Sequence, residues 1–213
     1  MAKLSLKNIN TAWLKDFSCE FAAGEVAVIT GNADCGMSAL LRAAAGADKA
    51  VSGEVYFGEQ NVTKIAAKKR NAVITAREFD LNPKMTVLKC MLTDAKRLGA
   101  ADAESRARKA AEKLGIDGIL NNKLREISAA QLKLVVVGRA IACDAGVYLF
   151  DEPFAGLDAE ATDKVCDIIK ALAAEKNAAV VIAVSDAEKA VSAGVRTVVM
   201  ANGKVLQDRK SVV

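Results

Sequence analysis

The strongest chemical signal in this chain lies in eight residues between an apolar strand-like run and a helical stretch. Gly31-Asn32-Ala33-Asp34-Cys35-Gly36-Met37-Ser38 follows Val26–Thr30 and runs on through Ala39 into the helical pattern. A glycine-bounded loop in that setting turns backbone N–H groups toward one concavity, and the helix N-terminus adds its partial positive charge. The phosphate-loop pattern G-x-x-x-x-G-K-[ST] works this way, with lysine on the outer phosphates and the hydroxyl on Mg²⁺. Ser38 supplies the hydroxyl, but Met37 stands where the lysine belongs. Methionine has similar reach and no charge. A charge-assisted hydrogen bond is worth about 1.5–3 kcal/mol, and a preorganised donor lost from a transition state costs about 3–4 kcal/mol. Nucleotide binding should therefore weaken, and turnover should fall by about two orders of magnitude or more. A strand-to-helix glycine turn with no ligand also accounts for these residues.

A second constellation is acidic. Val147-Tyr148-Leu149-Phe150 is an apolar strand ending in Asp151-Glu152. At the carboxyl edge of a parallel sheet these carboxylates would face the crevice of the phosphate loop. Asp151 can hold Mg²⁺ and Glu152 can orient or deprotonate an attacking water. Strands ending in Asp-Glu are common; one continuing Pro153-Phe154-Ala155-Gly156-Leu157-Asp158 is not.

The remaining elements must position these two groups. Leu4, Leu6 and Ile9, then Phe17, Cys19 and Phe21, alternate as two short antiparallel strands. Helix is expected over about 37–45 and strands over Glu54–Phe57 and Ala72–Thr75, with a break at Leu81–Pro83. From Thr86 the period is helical, interrupted near Gly99, and Ser128 N-caps a helix reaching Cys143. Strand Val147–Asp151, helix Ala159–Glu175, strand Ala179–Val184, helix Asp186–Val191 and strands Val195–Ala201 and Lys204–Gln207 complete the order. Strands alternating with helices predict a mostly parallel sheet.

Composition bounds the function. A chain of 213 residues, 52% hydrophobic with 2 Pro, can bury one domain's core. The net charge of +4 is too small to argue for nucleic acid. The complete lack of histidine excludes a Ser-His-Asp triad, a Cys-His pair and His-liganded zinc. The five scattered cysteines have no C-x-x-C pair and fit reduced thiols in a cytosol. Cys35, just before a helix, is read as a buried inert thiol rather than a redox switch. The N-terminus does not read as a signal peptide, and no apolar run spans a bilayer. Lys68-Lys69-Arg70 and Arg106–Lys109 read as solvated basic faces.

In its ordered landmarks the chain resembles the nucleotide-binding domain of ABC-type ATPases over essentially its full length. These are Gly24-Glu25, the phosphate-loop remnant, Thr86-Val87 after a Leu-x-Pro break, and Ile127-Ser128-Ala129-Ala130-Gln131 opening a helix that ends in Arg139-Ala140-Ile141-Ala142. Asp151-Glu152-Pro153, Gly156-Leu157-Asp158 and Val184-Ser185-Asp186-Ala187-Glu188-Lys189-Ala190 follow. The resemblance implies an α/β P-loop NTPase fold of ABC type: a mostly parallel core sheet (1–85 and 145–213), an antiparallel β edge layer and a helical subdomain over about 86–144. ATP and Mg²⁺ are the implied cofactors, held by Gly31 to Ala39, with Ser38 and Asp151 on the metal. Ser128 and Gln131 would meet the nucleotide of the opposite subunit, and Asp158 would touch that subunit.

The departures from the family's pattern are Met37, Arg77 at the glutamine that senses Mg²⁺ and water, Ala129 and Ala130 at the signature glycines, and Ser185 at the switch histidine. Added Cβ atoms at Ala129 and Ala130 restrict the backbone that should approach phosphate. Arg77 either repels the metal or partly replaces the missing lysine charge. Trp13 is a candidate for the aromatic that stacks on adenine, although the loop before Leu14 looks too short to place it. The resemblance thus implies a degenerate ABC transporter ATP-binding subunit, a weak or inactive ATPase partnering a membrane permease and a second ATPase subunit. It would be cytoplasmic and held at the inner membrane face by a permease helix docking near Arg77 to Cys90. A slow working ATPase driving transport and an ABC-like scaffold outside transport are the alternatives; no nucleic-acid partner is expected.

Overall fold

The computed structural model describes residues 3–32, 34–48, 52–75, 81–186 and 196–210. Ala33, Arg77 and the expected helix beyond Asp186 lie outside the described residues, wholly or in all but their first residue.

Alternation along three strands divides the interior. β3 (Val26–Gly31) sends Ala27 and Ile29 to one core and Val26 and Val28 to the other. β7 (Val147–Asp151) does the same with Val147 and Leu149 against Tyr148 and Phe150. In β8 (Ala179–Ala183), Ala179, Val181 and Ala183 oppose Val180 and Ile182. A strand buried on both faces reads as a continuous apolar run, which is why these segments lack polar alternation. The parallel sheet is ordered β10-β9-β3-β8-β7-β6, with β6 (Ala72–Thr75), β9 (Arg196–Ala201) and an antiparallel edge strand β10 (Lys204–Lys210). β9, β3, β8, β7 and β6 run in one direction.

One face of this sheet is covered by helix α1 (Met37–Ala45) and by a second, antiparallel sheet ordered β2-β1-β4-β5. Its strands are β1 (Leu4–Asn10), β2 (Phe17–Phe21), β4 (Ser52–Phe57) and β5 (Gln60–Asn61). The two-residue β5 is too short to leave a periodic signal and was not expected from the sequence. Leu4, Leu6, Phe17, Phe21, Leu40 and Leu41 fill the space between the sheets, each almost fully buried. Each such side chain contributes about 1.5–3 kcal/mol relative to exposure.

The other face carries α2 (Val87–Arg97), α3 (Ala103–Leu114), α4 (Ala129–Ile141) and α5 (Ala159–Lys176). The expected helical interruption near Gly99 is the α2–α3 junction. Asp94 joins this layer to the sheet. Its carboxylate lies 3.3 Å from Arg97 Nε and 3.0 Å from Arg139 Nε on α4. Arg97 also donates through Nη2 to the Ala72 carbonyl at the start of β6 (3.0 Å).

Arg70 corrects the reading of Lys68-Lys69-Arg70 as a solvated face. Its side chain is buried and donates to the carbonyls of Ala43 (3.2 Å), Ala44 (2.8 Å), Thr63 (3.0 Å) and Ile65 (2.9 Å). Two of these are carbonyls at the C-terminal end of α1, where the regular helical donors run out; Ala43 also accepts the Gly46 N–H at 3.1 Å. A basic triplet signals charge, not which member turns inward. Arg70→Met should lower stability by about 2–4 kcal/mol by withdrawing the guanidinium's hydrogen bonds from these carbonyls. A urea titration checks this, and an unchanged midpoint would contradict it.

The cysteines are all free, and burial pushes their thiols upward from the ordinary 9.0, to about 11 at Cys19 and Cys166 and about 12 at Cys143. Cys35 and Cys90 shift the same way for the same reason. The unfolded chain therefore releases thiol protons first, so stability is full below about pH 9 and falls as pH rises toward about 12. Urea midpoints at about pH 8 and about pH 10.5 measure this, and Cys143→Ala should reduce the fall. Equal midpoints would contradict the assignment.

Candidate functional site

The ends of β3 and β7 reach the same sheet edge because both run parallel to β8, which lies between them. The loop after β3 and the acids after β7 are thereby brought together. Ser38, in the first turn of α1, donates from Oγ to Asp151 Oδ1 over 3.1 Å. Asp151 is held in turn by its own N–H, which donates to Thr75 Oγ1 at the end of β6 (3.0 Å). A hydroxyl and a carboxylate converging at a helix N-terminus form a hard oxygen pair of the kind Mg²⁺ takes. Gly36 is the N-cap of α1 with φ 99°, a left-handed conformation, and no side chain caps this helix end. That leaves the start of α1 open to an anion. The residues present therefore fit a phosphate and a divalent cation in kind, with one exception.

The exception is Met37. Its side chain is half-buried and packs against the core between the sheets, with Cys19, Ile65 and Ile74 among the other partly buried contacts of that core. A cleft of about 400 Å³ opens beside it. Among the described residues, the charged ones lining it are Asp34, Asp48 and Asp151 against one guanidinium, Arg42. Asp48 grips Arg42 bidentately, at 2.7 Å to Nε and 2.8 Å to Nη2. Arg42 holds the Asp48 carboxyl below the usual carboxylate range, chiefly through these hydrogen bonds. The lining described here is thus net acidic where a polyphosphate would need cations.

Asp34, Cys35, Gly36, Met37, Ser38, Ala39 and Asp151 all line this cleft. Cys35 lies beneath it, buried, and a Cβ on Gly31 would come 2.7 Å from its sulfur. Its raised thiol pKa agrees with an inert role. Asn32 is exposed and is not among the lining residues.

Trp13 is the residue the sequence undervalued. It lines the cleft and is 56% exposed, so the expectation that its loop is too short is corrected. Thr11 is the reason. Its Oγ1 accepts from the N–H of Trp13 (3.1 Å) and of Leu14 (3.0 Å), and Thr11 N–H donates to the Leu14 carbonyl (3.1 Å). A tight turn capped by threonine can display a side chain that an open loop of that length could not. Thr11, two residues ahead of Trp13, was the available signal.

Glu152 takes φ 49°, which non-glycine residues rarely adopt, and such strain gathers at functional sites. Its carboxylate accepts the Ser185 N–H at 2.7 Å. Ser185, read only as a lost histidine, thus orients Glu152 through its backbone. Ser128 and Gln131 are not in the cleft lining. Their side chains form a reciprocal capping box at α4: Ser128 N–H to Gln131 Oε1 at 2.9 Å, and Gln131 N–H to Ser128 Oγ at 3.2 Å. Ala129 and Ala130 form the first turn behind that cap. Asp158 is exposed and caps α5, accepting Ala161 N–H at 2.8 Å. Among the described residues no cluster of three metal-ligating side chains occurs, and no helix is long and apolar enough to cross a membrane.

A family model described as ABC transporter matches residues 14–155. The sn-glycerol-3-phosphate import ATP-binding protein UgpC of Chromobacterium violaceum is 39% identical over 169 residues, covering 75% of this chain and 46% of the relative. That of Escherichia coli K12 is 34% identical over 168 residues, covering 75% and 47%. The chain spans about half the length of these curated relatives. Among solved structures, a dimeric bacterial ABC transporter cassette superposes with a TM-score of 0.88 at 23% identity, covering 99% of both chains. A nucleotide-free ATP-binding cassette gives 0.85 at 23% identity, covering 99% of this chain and 92% of that one. Fold, phosphate loop and acidic strand agree with these matches, and the chain belongs to the ABC transporter family as a nucleotide-binding domain of its ATPases.

Proposed function

We propose that this chain is a degenerate ABC transporter ATP-binding subunit that holds Mg²⁺–nucleotide weakly and hydrolyses it very slowly or not at all. It works as a structural or regulatory partner of a membrane permease, paired with a second ATPase subunit. The observation carrying this reading is the cleft around Met37: three carboxylates line it, and its guanidinium is already engaged by Asp48. ATP brought there adds negative charge to a lining that is net acidic among the described residues, and Met37 offers no ammonium to the outer phosphates. ATP with Mg²⁺ supplies the Lewis-acid charge stabilisation that phosphoryl transfer needs. This chain's residues would contribute Ser38 and Asp151 as metal ligands, the N-terminus of α1 as phosphate cradle and Glu152 as orienting base. Trp13 would stack on the base, and the loop Gly31 to Ala39 would surround the phosphates. Ser128 and Gln131 would face the nucleotide of the other subunit only through the end of α4, since their side chains cap that helix.

The family's relatives named for sn-glycerol-3-phosphate import favour an importer for the permease partner. A working but slow ATPase is the second reading. It is favoured by the 3.1 Å Ser38–Asp151 contact and by Glu152 held on the Ser185 amide, which keep the metal and water half of the chemistry in order.

A steady-state phosphate-release assay separates the two. The degenerate reading predicts turnover below about 0.1 per second, two orders under an ordinary enzyme, and no further loss in Glu152→Gln. Faster turnover abolished by Glu152→Gln would overturn it and support the slow engine.

A further inference from the structure

Resting on the nucleotide-cleft reading above, we propose that the Asn202-Gly203 turn between β9 and β10 is the strut that positions Trp13 against the phosphate loop. Asn202 has φ 50° and Gly203 has φ 78°, the two left-handed residues of a tight hairpin turn. Gly203 uses both of its backbone groups outside the hairpin. Its N–H donates to the Cys35 carbonyl within the phosphate loop (3.1 Å), and its carbonyl accepts Lys15 N–H just past the Trp13 turn (3.1 Å). One residue thus bonds simultaneously to two of the segments that line the cleft.

Steric contact reinforces the bonds. A Cβ on Gly203 would collide with the Trp13 carbonyl oxygen and come 3.0 Å from Leu14 Cα. On the other side, a Cβ on Gly36 would come 3.0 Å from Leu14 Cδ2 and 3.1 Å from the same Trp13 oxygen. The Trp13 peptide is therefore clasped between two glycines, one from the hairpin and one from the cap of α1. Thr11 shapes the turn, and this clasp ties it to the cleft. Gly203 is a positioning residue: it touches no ligand and acts through Trp13 and Cys35.

The chain has one tryptophan, so its fluorescence reports Trp13 alone. Gly203→Ala should shift Trp13 emission and alter its acrylamide quenching without any nucleotide present. Gly99→Ala is the control, because Gly99 has φ 79° but nothing within 4 Å of an added Cβ. It imposes the same backbone strain without the collision and should leave Trp13 emission unchanged. Asn202→Ala strains the same turn more gently and should move Trp13 in the same direction, which decides the matter if Gly203→Ala does not fold. Binding of trinitrophenyl-ATP should weaken about tenfold in Gly203→Ala and stay at the wild-type level in Gly99→Ala. Wild-type Trp13 emission and quenching in the folded turn variants would overturn the strut. Absence of trinitrophenyl-ATP binding in the unaltered chain, with Trp13 still displaced by Gly203→Ala, would refute the nucleotide reading and leave the strut standing.

Discussion

The 3.1 Å contact between Ser38 and Asp151 is the constraint around which the rest is arranged. The two residues are more than a hundred positions apart and meet only because β3, β8 and β7 lie side by side in parallel, ending at one edge. That pairing demands strands buried on both faces, and hence two cores. Ala27, Ile29, Leu149 and Val181 belong to the core shared with α1 and the antiparallel sheet; Val28, Phe150 and Ile182 belong to the helical side. Thr75 and Arg70 finish the placement. One fixes Asp151 from β6, and the other secures the far end of α1, so both ends of the helix that carries Ser38 are anchored.

Against that frame, the described lining of the cleft is net acidic. A lysine in place of Met37 would set one mobile ammonium beside Asp34, Asp48 and Asp151. Methionine instead brings no charge and packs against the apolar layer between the sheets. Arg42 cannot substitute at no cost, because two short hydrogen bonds to Asp48 would have to be given up first. A divalent cation would offset such a lining for a polyphosphate, and Ser38 with Asp151 supplies oxygens suited to it.

What the sequence made legible was local. The strand–loop–helix of the phosphate loop, the Ser128 N-cap and the apolar strand before Asp151-Glu152 all follow from short spacings, and the limits of those expected helices and strands that lie in the described residues fall within a few residues of expectation. What stayed hidden depends on contacts distant in the chain. Trp13 reaches the cleft because Thr11 tightens its turn and because Gly36 and Gly203, from two other elements, leave room for its peptide. Arg70 is inward although its neighbours Lys68 and Lys69 are not among the buried residues, since only Arg70 faces the carbonyls closing α1. Ser185 keeps a use through its amide that no side-chain comparison reveals. Asn202-Gly203 was a readable hairpin signal, but nothing in two residues tells what a hairpin leans on.

Calorimetric titration of Mg²⁺–ATP into the unaltered protein and into Met37→Lys tests the central claim most directly. The account predicts weak or undetectable heat for the former and an affinity at least about tenfold higher for the latter, as one restored charge-assisted hydrogen bond requires. Tight binding to the unaltered protein, with no gain from the lysine, would contradict it.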